Sequence, residues 1–382
     1  MSLGEAPSRR VTSADVALRA GVSIPTVSRV VNGSAPVSAE KRRAVLDAIE
    51  ALGYHPNPMA RGLSLGRSDT VLVILPHITE PSSAVRLGGI IEALRPSPYE
   101  LHVVCLERPI EERLRTIGEI VLQNRPAGVV VVSLPADEDD HRRFREAGIP
   151  VVLVDSPSAE LPADTIDDVA AGETATRHLI NLGHERIGFI GDDERTTIGV
   201  PASACRRRGF ERAMAAASLR IRPGHVRTAP HGTATAQRLA DEMLGLGTPP
   251  TAIFAASDTQ AFGVLAAARA AGVAVPGGLS VIGFDDVPAA SLMGLTTVRQ
   301  HLEVSGRRAG IRLLNLLGHD TGEELPDYAA PELVVRDTTA PPGHTAPRTL
   351  SRSSRGEQGT EAQVPITHGS AARQVRRVPR RK

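Results

Sequence analysis

Between residues 11 and 54 apolar positions recur at helical spacing, and strand-like runs are almost absent. Val16, Ala17 and Ala20 form an i, i+1, i+4 stripe that predicts a first helix over 14–20, capped by Thr12 or Ser13 and ended by Gly21. Val27, Val30 and Val31 mark the buried face of a second helix behind a Ser23 N-cap. Val45, Ala48, Ile49 and Leu52 mark a third behind Ser38, with Gly53 as its stop. Pro25 looks misplaced, because a proline in a helix interior costs roughly 3 kcal/mol. Counting from Ser23 makes Ile24 N1 and Pro25 N2, so the proline falls in the first turn, where its missing N–H has no intrahelical partner to lose.

From residue 70 the pattern changes. Apolar, β-branched runs recur as VLVIL (71–75), LHVVCL (101–106), GVVVVSL (128–134), PVVLVD (150–155), RIGFIG (186–191), TAIFAAS (251–257) and LSVIGFDD (279–286). Helical patterns such as GETATRHLINLG and TQAFGVLAAARAAG separate most of them. Strands apolar on both faces and alternating with helices predict parallel, doubly wound sheets. Seven such strands over some 270 residues exceed one comfortable sheet, so two lobes are expected. The predicted fold is therefore a small all-α helix-turn-helix head plus an α/β body of two doubly wound parallel-sheet lobes. After Arg336-Asp337-Thr338 the pattern dissolves into Pro, Ser, Gly and Arg, and 341–382 reads as a disordered basic tail.

Composition narrows the class. At 41% hydrophobic and 23% charged, the chain is ordinary globular material with room for two or three domains. No apolar run approaches the roughly 18 residues of a membrane span. The N-terminus has arginines but no apolar core behind them, so the expected location is the cytoplasm, associated with the nucleoid. Cys105 and Cys205 are isolated from each other and from any His/Cys spacing, so they read as reduced and structural. Charge is segregated within a whole-chain balance of +1: residues 1–67 hold nine Lys/Arg against five Asp/Glu (net +4) and 341–382 hold nine against two (net +7), leaving −10 for the middle. A basic head on an acidic body points to a polyanion as the head's partner. The body contains no G-x-x-x-x-G-K-[ST], no G-x-G-x-x-G after its first strand and no G-x-S-x-G elbow, so no enzyme, cofactor or catalytic residue is expected.

A helix, the turn Gly21-Val22-Ser23 and a second helix inside a basic three-helix domain form a helix-turn-helix arrangement, whose second helix enters the major groove by its N-terminal end. On that geometry Ile24, Pro25, Ser28 and Arg29 face outward. Arg29 can read a guanine edge bidentately, worth about 1–3 kcal/mol of discrimination, while Ile24 and Pro25 offer only apolar contact. Thr12, Ser23, Thr26, Asn32 and Ser38 carry short donors suited to phosphates.

The segment VTSADVALRAGVSIPTVSRVVNGSAPVSAEKRRAVLDAIEALGYHPNPMARGLSLGRS closely resembles the DNA-binding head of the LacI/GalR repressor family. The resemblance continues through LINLGHERIGFIGD, TAIFAASD, GLSVIGFDDVP, LTTVRQ and ELVVRDTTAPP, covering residues 10 to about 342. It implies a helix-turn-helix domain over 10–56, a hinge helix or linker over 57–68 and a two-lobed, periplasmic-binding-protein-like effector and dimerisation domain over 69–340. In the hinge it implies DNA contacts from Asn57, Ala60 and Leu63, the last a minor-groove wedge of the kind that bends DNA. Pro58 suits N1 and Asn57 can cap, but so short a helix containing Gly62 would not stand alone in water.

The family likeness further implies double-stranded operator DNA and a homodimer on a pseudo-palindrome, with a tetramer left open. It also implies a small polar effector, a sugar or related metabolite, bound between the lobes. Ligands of such sheets sit at the carboxyl ends of strands. Asp155, Arg206, Asp258 and Asp285 match effector-binding family positions, and His77 joins them just beyond the first strand's end. The chain departs from the family pattern where Asp-Ile-Ser-Asn-Pro-Phe-Phe is replaced by His77-Ile78-Thr79-Glu80-Pro81-Ser82-Ser83. With both aromatics lost and no Trp in the chain, ring stacking on a sugar is less available. Two alternatives stay open at this point: an unusual effector, or DNA binding without one.

Overall fold

The computed structural model describes residues 11–33, 36–54, 68–106, 116–194, 199–319 and 321–343. The hinge residues Asn57, Ala60 and Leu63 and the tail from 344 onward lie outside them. Three helices form the head: α1 (Ser13–Ala20), α2 (Ile24–Asn32) and α3 (Ala39–Leu52). Val16, Ala17, Val27, Val30, Val45 and Ala48 make its core, each on the stripe that the spacing predicts. Thr12 caps α1 through a reciprocal box, its Oγ1 accepting from the Asp15 N–H at 3.4 Å while Asp15 Oδ2 accepts from the Thr12 N–H at 2.9 Å. Gly21 then turns the chain with a left-handed φ of 66°, which costs glycine nothing.

Pro25 does occupy N2 of α2, but the expected Ser23 side-chain cap is not made. A capping hydroxyl accepts from the N–H of N2 or N3. Here N2 has none, and Ser23 Oγ instead pairs with the hydroxyl of Thr26 at 2.9 Å. Ser38 likewise stands at the N-cap of α3 without a side-chain cap bond.

The body holds two sheets. In lobe one β1 (Thr70–Leu75), β2 (Glu100–Cys105), β3 (Gly128–Val132), β4 (Val151–Val154) and β5 (Ala163–Asp164) run parallel in the order β2-β1-β3-β4-β5. Side chains alternate across it. Val71, Val73, Val130, Val132 and Val152 face α4 (Pro81–Leu94) and a helix from far along the chain, α12 (Leu302–Leu316). Leu72, Ile74, Val129, Val131 and Leu153 face α5 (Ile117–Asn124) and α6 (Glu138–Ala147).

Lobe two contains β6 (Ile187–Asp192), β7 (Val226–Ala229), β8 (Ala252–Ala255), β9 (Ser280–Asp285), β10 (Thr296–Arg299) and β11 (Glu332–Val334), in the order β11-β10-β9-β8-β6-β7. Only the β10–β11 pairing among these is antiparallel. One face packs on α7 (Asp168–Asn181) and α8 (Ala202–Ala216), the other on α9 (Thr233–Leu244) and α10 (Asp258–Ala270). A short α11 (Pro288–Leu292) follows β9. The chain passes between lobes after β5, after β10 and again between α12 and β11, so the lobes share their crossover segments.

The seven apolar runs each become a strand within a residue or two of their predicted limits. Four strands carry no such run. Of these β5, β7 and β11 are edge strands and β10 is next to an edge; all are four residues or shorter, so little apolar burial marks them.

Candidate functional site

In the head, α2 presents Ile24, Pro25 and Arg29 as exposed residues, with Thr26 and Ser28 half-buried beside them. Thr12 and Ser38 are exposed. Asn32 Nδ2 donates to Ser28 Oγ at 3.1 Å, so those two side chains brace each other along the helix. Val27 and Val30, on the opposite face, anchor α2 in the head's core.

In the body, a cavity of about 290 Å3 lies between the lobes at the carboxyl ends of the strands. His77, Asp155, Arg206 and Asp285 line it. Asp258 does not. Fully buried at the start of α10, its carboxylate accepts from Thr297 Oγ1 at 2.6 Å and from the Val287 N–H at 2.9 Å, so it ties α10 to the β9–α11 turn and to β10. Asp258, expected to meet an effector, thus lies off the cavity lining, with its oxygens bonded inside lobe two. The acid beside Asp285 is also turned away, since Asp286 accepts from Arg299 Nε at 2.7 Å and from Arg336 Nη2 at 2.6 Å.

Two buried arginines face each other across the cavity, one from each lobe. Arg206, on α8, donates from Nε to Asp168 Oδ1 at 2.8 Å and from Nη1 to the Ala256 carbonyl at 2.7 Å. Its Nη1 also stands 3.8 Å from Asp285 Oδ1, and its guanidinium lies 3.6 Å over the Phe284 ring. Arg86, on α4, lies 3.4 Å from Asp155 Oδ2 and donates from Nη2 to Gln300 Oε1 at 2.7 Å. Ser133 Oγ donates to the same Asp155 oxygen at 2.8 Å. Gln300, in the crossover after β10, hands its own Nε2 to Asp285. A continuous polar chain thus runs Asp155, Arg86, Gln300, Asp285, Arg206, Asp168 from lobe to lobe.

Sequence reasoning missed Arg86 and Gln300, yet a signal for the first is present. The segment 83–94 buries Ser83, Arg86, Gly89, Ile90, Ala93 and Leu94; the segment 203–214 buries Ser203, Arg206, Gly209, Phe210, Ala213 and Met214. The two share one spacing, S-x-x-R-x-x-G-φ-x-x-A-φ, where φ is apolar, and in each the arginine falls on the helix's buried stripe. Glycines on the partner helices make room: a Cβ on Gly306 of α12 would collide with the Arg86 carbonyl, and one on Gly172 of α7 with that of Arg206.

The backbone at the strand ends is also unusual. Ser133, Asp155 and Asp285 take φ of 50°, 58° and 117°, a region non-glycine residues occupy at a cost of order 1–3 kcal/mol and mainly at functional positions. Burial raises the Asp285 carboxyl to about 6, against the opposing pull of Arg206, Arg86 and Gln300. Burial, reinforced by the Asp285 charge, raises Asp258 to about 8. Among the described residues no group of three His, Cys, Asp or Glu side chains is placed to hold a metal ion, and no helix is long and apolar enough to cross a membrane.

A helix-turn-helix head on a two-lobed body with a polar cleft defines a class: DNA-binding regulators built on a periplasmic-binding-protein-like body. Residues 12–57 match the family of bacterial regulatory proteins called lacI, and 176–339 match a periplasmic binding protein-like domain. The HTH-type transcriptional regulator reg1 of Streptomyces lividans is 34% identical over 348 residues, 86% of this chain and 96% of that protein. A solved complex of the regulator CelR with cellobiose is 30% identical with a TM-score of 0.59, covering 86% of this chain and 100% of that one. The lac repressor dimer bound to operator and the anti-inducer ONPF is 26% identical with a TM-score of 0.66, over 87% and 100%. This chain belongs to the LacI family of transcriptional regulators. It is a DNA-binding regulator and not an enzyme.

Proposed function

We propose that the chain is a repressor that binds a pseudo-palindromic operator as a homodimer, its affinity set by a small polyhydroxylated effector in the inter-lobe cavity. The observation that carries the effector reading is the pair of opposed arginine–carboxylate groups, Arg86 with Asp155 and Arg206 with Asp285, at the cavity floor. Each cation already has an acid beside it, so the floor is charge-compensated and suits an uncharged ligand whose hydroxyls donate to the carboxylates and accept from the guanidiniums. Among the described lining residues Ser82, Ser83, Ser133, Ser203 and Ser257 add hydroxyls and none is Phe, Tyr or Trp, which favours a ligand held chiefly by hydrogen bonds. The volume, about 290 Å3, sits at the small end of the roughly 300–1,000 Å3 of small-molecule sites.

On the DNA side, Arg29 reads a base edge and Ile24 and Pro25 make apolar contact, while Thr12, Ser23, Thr26, Ser28, Asn32 and Ser38 meet or brace phosphate contacts. Asn57, Ala60 and Leu63 order on the operator's centre. Calorimetry of the full chain against a panel of sugars, polyols and nucleosides, with Asp285→Ala as control, tests the effector reading; no binding across the panel, or binding indifferent to Asp285→Ala, defeats it. Genomic footprinting tests the other half, which fails if no inverted-repeat site is protected. Arg29→Ala is expected to relax preference at one base step by about 1–3 kcal/mol, and uniform weakening across sequences would place Arg29 on phosphate instead.

A further inference from the structure

The rim of the cavity carries a group that belongs to neither arginine pair. Glu80 lies at the N-cap of α4 in lobe one, and His231 in the β7–α9 loop of lobe two. His231 Nε2 donates to Glu80 Oε2 at 3.2 Å, and Thr259 Oγ1, on α10 of lobe two, donates to the same oxygen at 3.2 Å. The other ring nitrogen, Nδ1, donates to Asp192 Oδ1 at 2.9 Å, and Gln260 Nε2 holds that oxygen at 2.8 Å. Carboxylates only accept, so a ring that serves two of them at once is the imidazolium. Burial alone would lower its pKa, but the bonds to Asp192 and Glu80 outweigh that and raise it to about 10, so the ring stays charged across the physiological range.

Exposure separates this group from the floor. The side chains of Arg86, Arg206, Asp285 and Asp155 are 4%, 7%, 8% and 10% exposed, whereas those of Glu80, His231 and Asp192 are 26%, 28% and 21%. All seven line one cavity, so the less buried three mark its mouth. A contact between lobes at the mouth must break before anything longer than the cavity can project from it. Glu80 also stands where the family pattern quoted above has asparagine, which offers no charge to hold an imidazolium.

We propose that Glu80 and His231 form an inter-lobe clasp that holds the mouth of the cleft shut and admits only effectors small enough to lie wholly inside it. The size limit rests on the effector reading above; the clasp itself does not. Glu80 makes no side-chain cap bond to α4, so truncating it leaves the helix start intact.

The test uses the full chain carrying one label on each lobe, as wild type, Glu80→Ala, His231→Ala and the double variant. The inter-lobe distance is read without ligand, and calorimetry is run against monosaccharides, pentitols and disaccharides. Both single variants are expected to lengthen the distance, Glu80→Ala the more because Thr259 also bonds Glu80, and the double to add little to Glu80→Ala. Wild type is expected to prefer the small probes by at least about tenfold, and each variant to shrink that preference to about threefold or less. An unchanged distance in both single variants overturns the clasp whatever the sugars do. A lengthened distance with an unaltered size preference overturns the size limit. If no probe binds wild type while the distance responds as expected, the effector reading falls and the clasp stands.

Discussion

The two lobes solve the same problem with the same local sequence and finish it differently. Each sends a buried arginine from the helix with the S-x-x-R-x-x-G spacing toward an acid at a strand's carboxyl end. Arg206 of lobe two is satisfied within its own lobe, by Asp168, the Ala256 carbonyl, Asp285 and the Phe284 ring. Arg86 of lobe one depends in part on the crossover, through Gln300 and, at 3.4 Å, Ser305 of α12. Lobe two therefore offers an arginine whose partners are complete before the lobes meet, and lobe one an arginine whose partners are completed by the segment that joins them.

Arg206→Ala strikes the self-contained half and is expected to have the largest effect. It strands Asp168 as a buried carboxylate without its arginine and leaves Asp285 only Gln300 and the more distant Arg86, which costs about 3–5 kcal/mol in urea unfolding of the purified chain. Arg86→Ala is expected to cost less, about 1.5–3 kcal/mol, because Ser133 still donates to Asp155. Equal losses from the two would end the claim of asymmetry.

Within lobe two, pH separates the two buried acids. Asp285 and Asp258 both have folded pKa values, about 6 and about 8, above the roughly 3.9 of an unfolded aspartate. Their contribution to stability is then fully present below about pH 4 and is lost as pH rises through 6 and 8. Asp258→Asn can keep both hydrogen bonds without the charge, so its unfolding midpoint is expected to be flatter between pH 5 and 9 than that of wild type, as followed by thermal melts. The smallest expected effect is that of Ser203→Ala, about 1 kcal/mol, from the loss of the bond that Ser203 Oγ accepts from the Asp192 N–H at 2.8 Å.

Much of this architecture is legible in the chain before any coordinates. Strands buried on both faces announce themselves as continuous apolar runs, and the helix starts follow from Thr12, Ser23 and Ser38. His77, Asp155 and Asp285 lie where the rule that ligands sit at strand ends puts them, whereas Arg206, inside a helix, is reached only through the family resemblance. Where Asp258 turns is not legible locally, because a carboxylate at a helix start can face inward as readily as outward, and it is Thr297, 39 residues on, that holds it inward.

Arg86 is legible only by laying 83–94 over 203–214. A lone arginine among apolar residues otherwise reads as a helix's solvated face. Gln300 and His231 have no local signature, and Glu80 has only its departure from the family's asparagine. Their roles come from which lobe their partners occupy, and that is fixed only when the chain has crossed between the sheets.

Gln300 gives the crossover a polarity. Its carbonyl accepts from Arg86, which can only donate, and its amide donates to Asp285, which at neutral pH can only accept. The side chain therefore fits one way round, and neither end can trade places with the other. Glutamate at this position would match the first neighbour and repel the second, keeping the shape while loosening one lobe alone. A joint built this way is not a symmetric pivot. It transmits a disturbance at Asp285 to Arg86 through a single amide plane, so rotation of the lobes must either preserve both bonds or break the sequence at one identifiable atom.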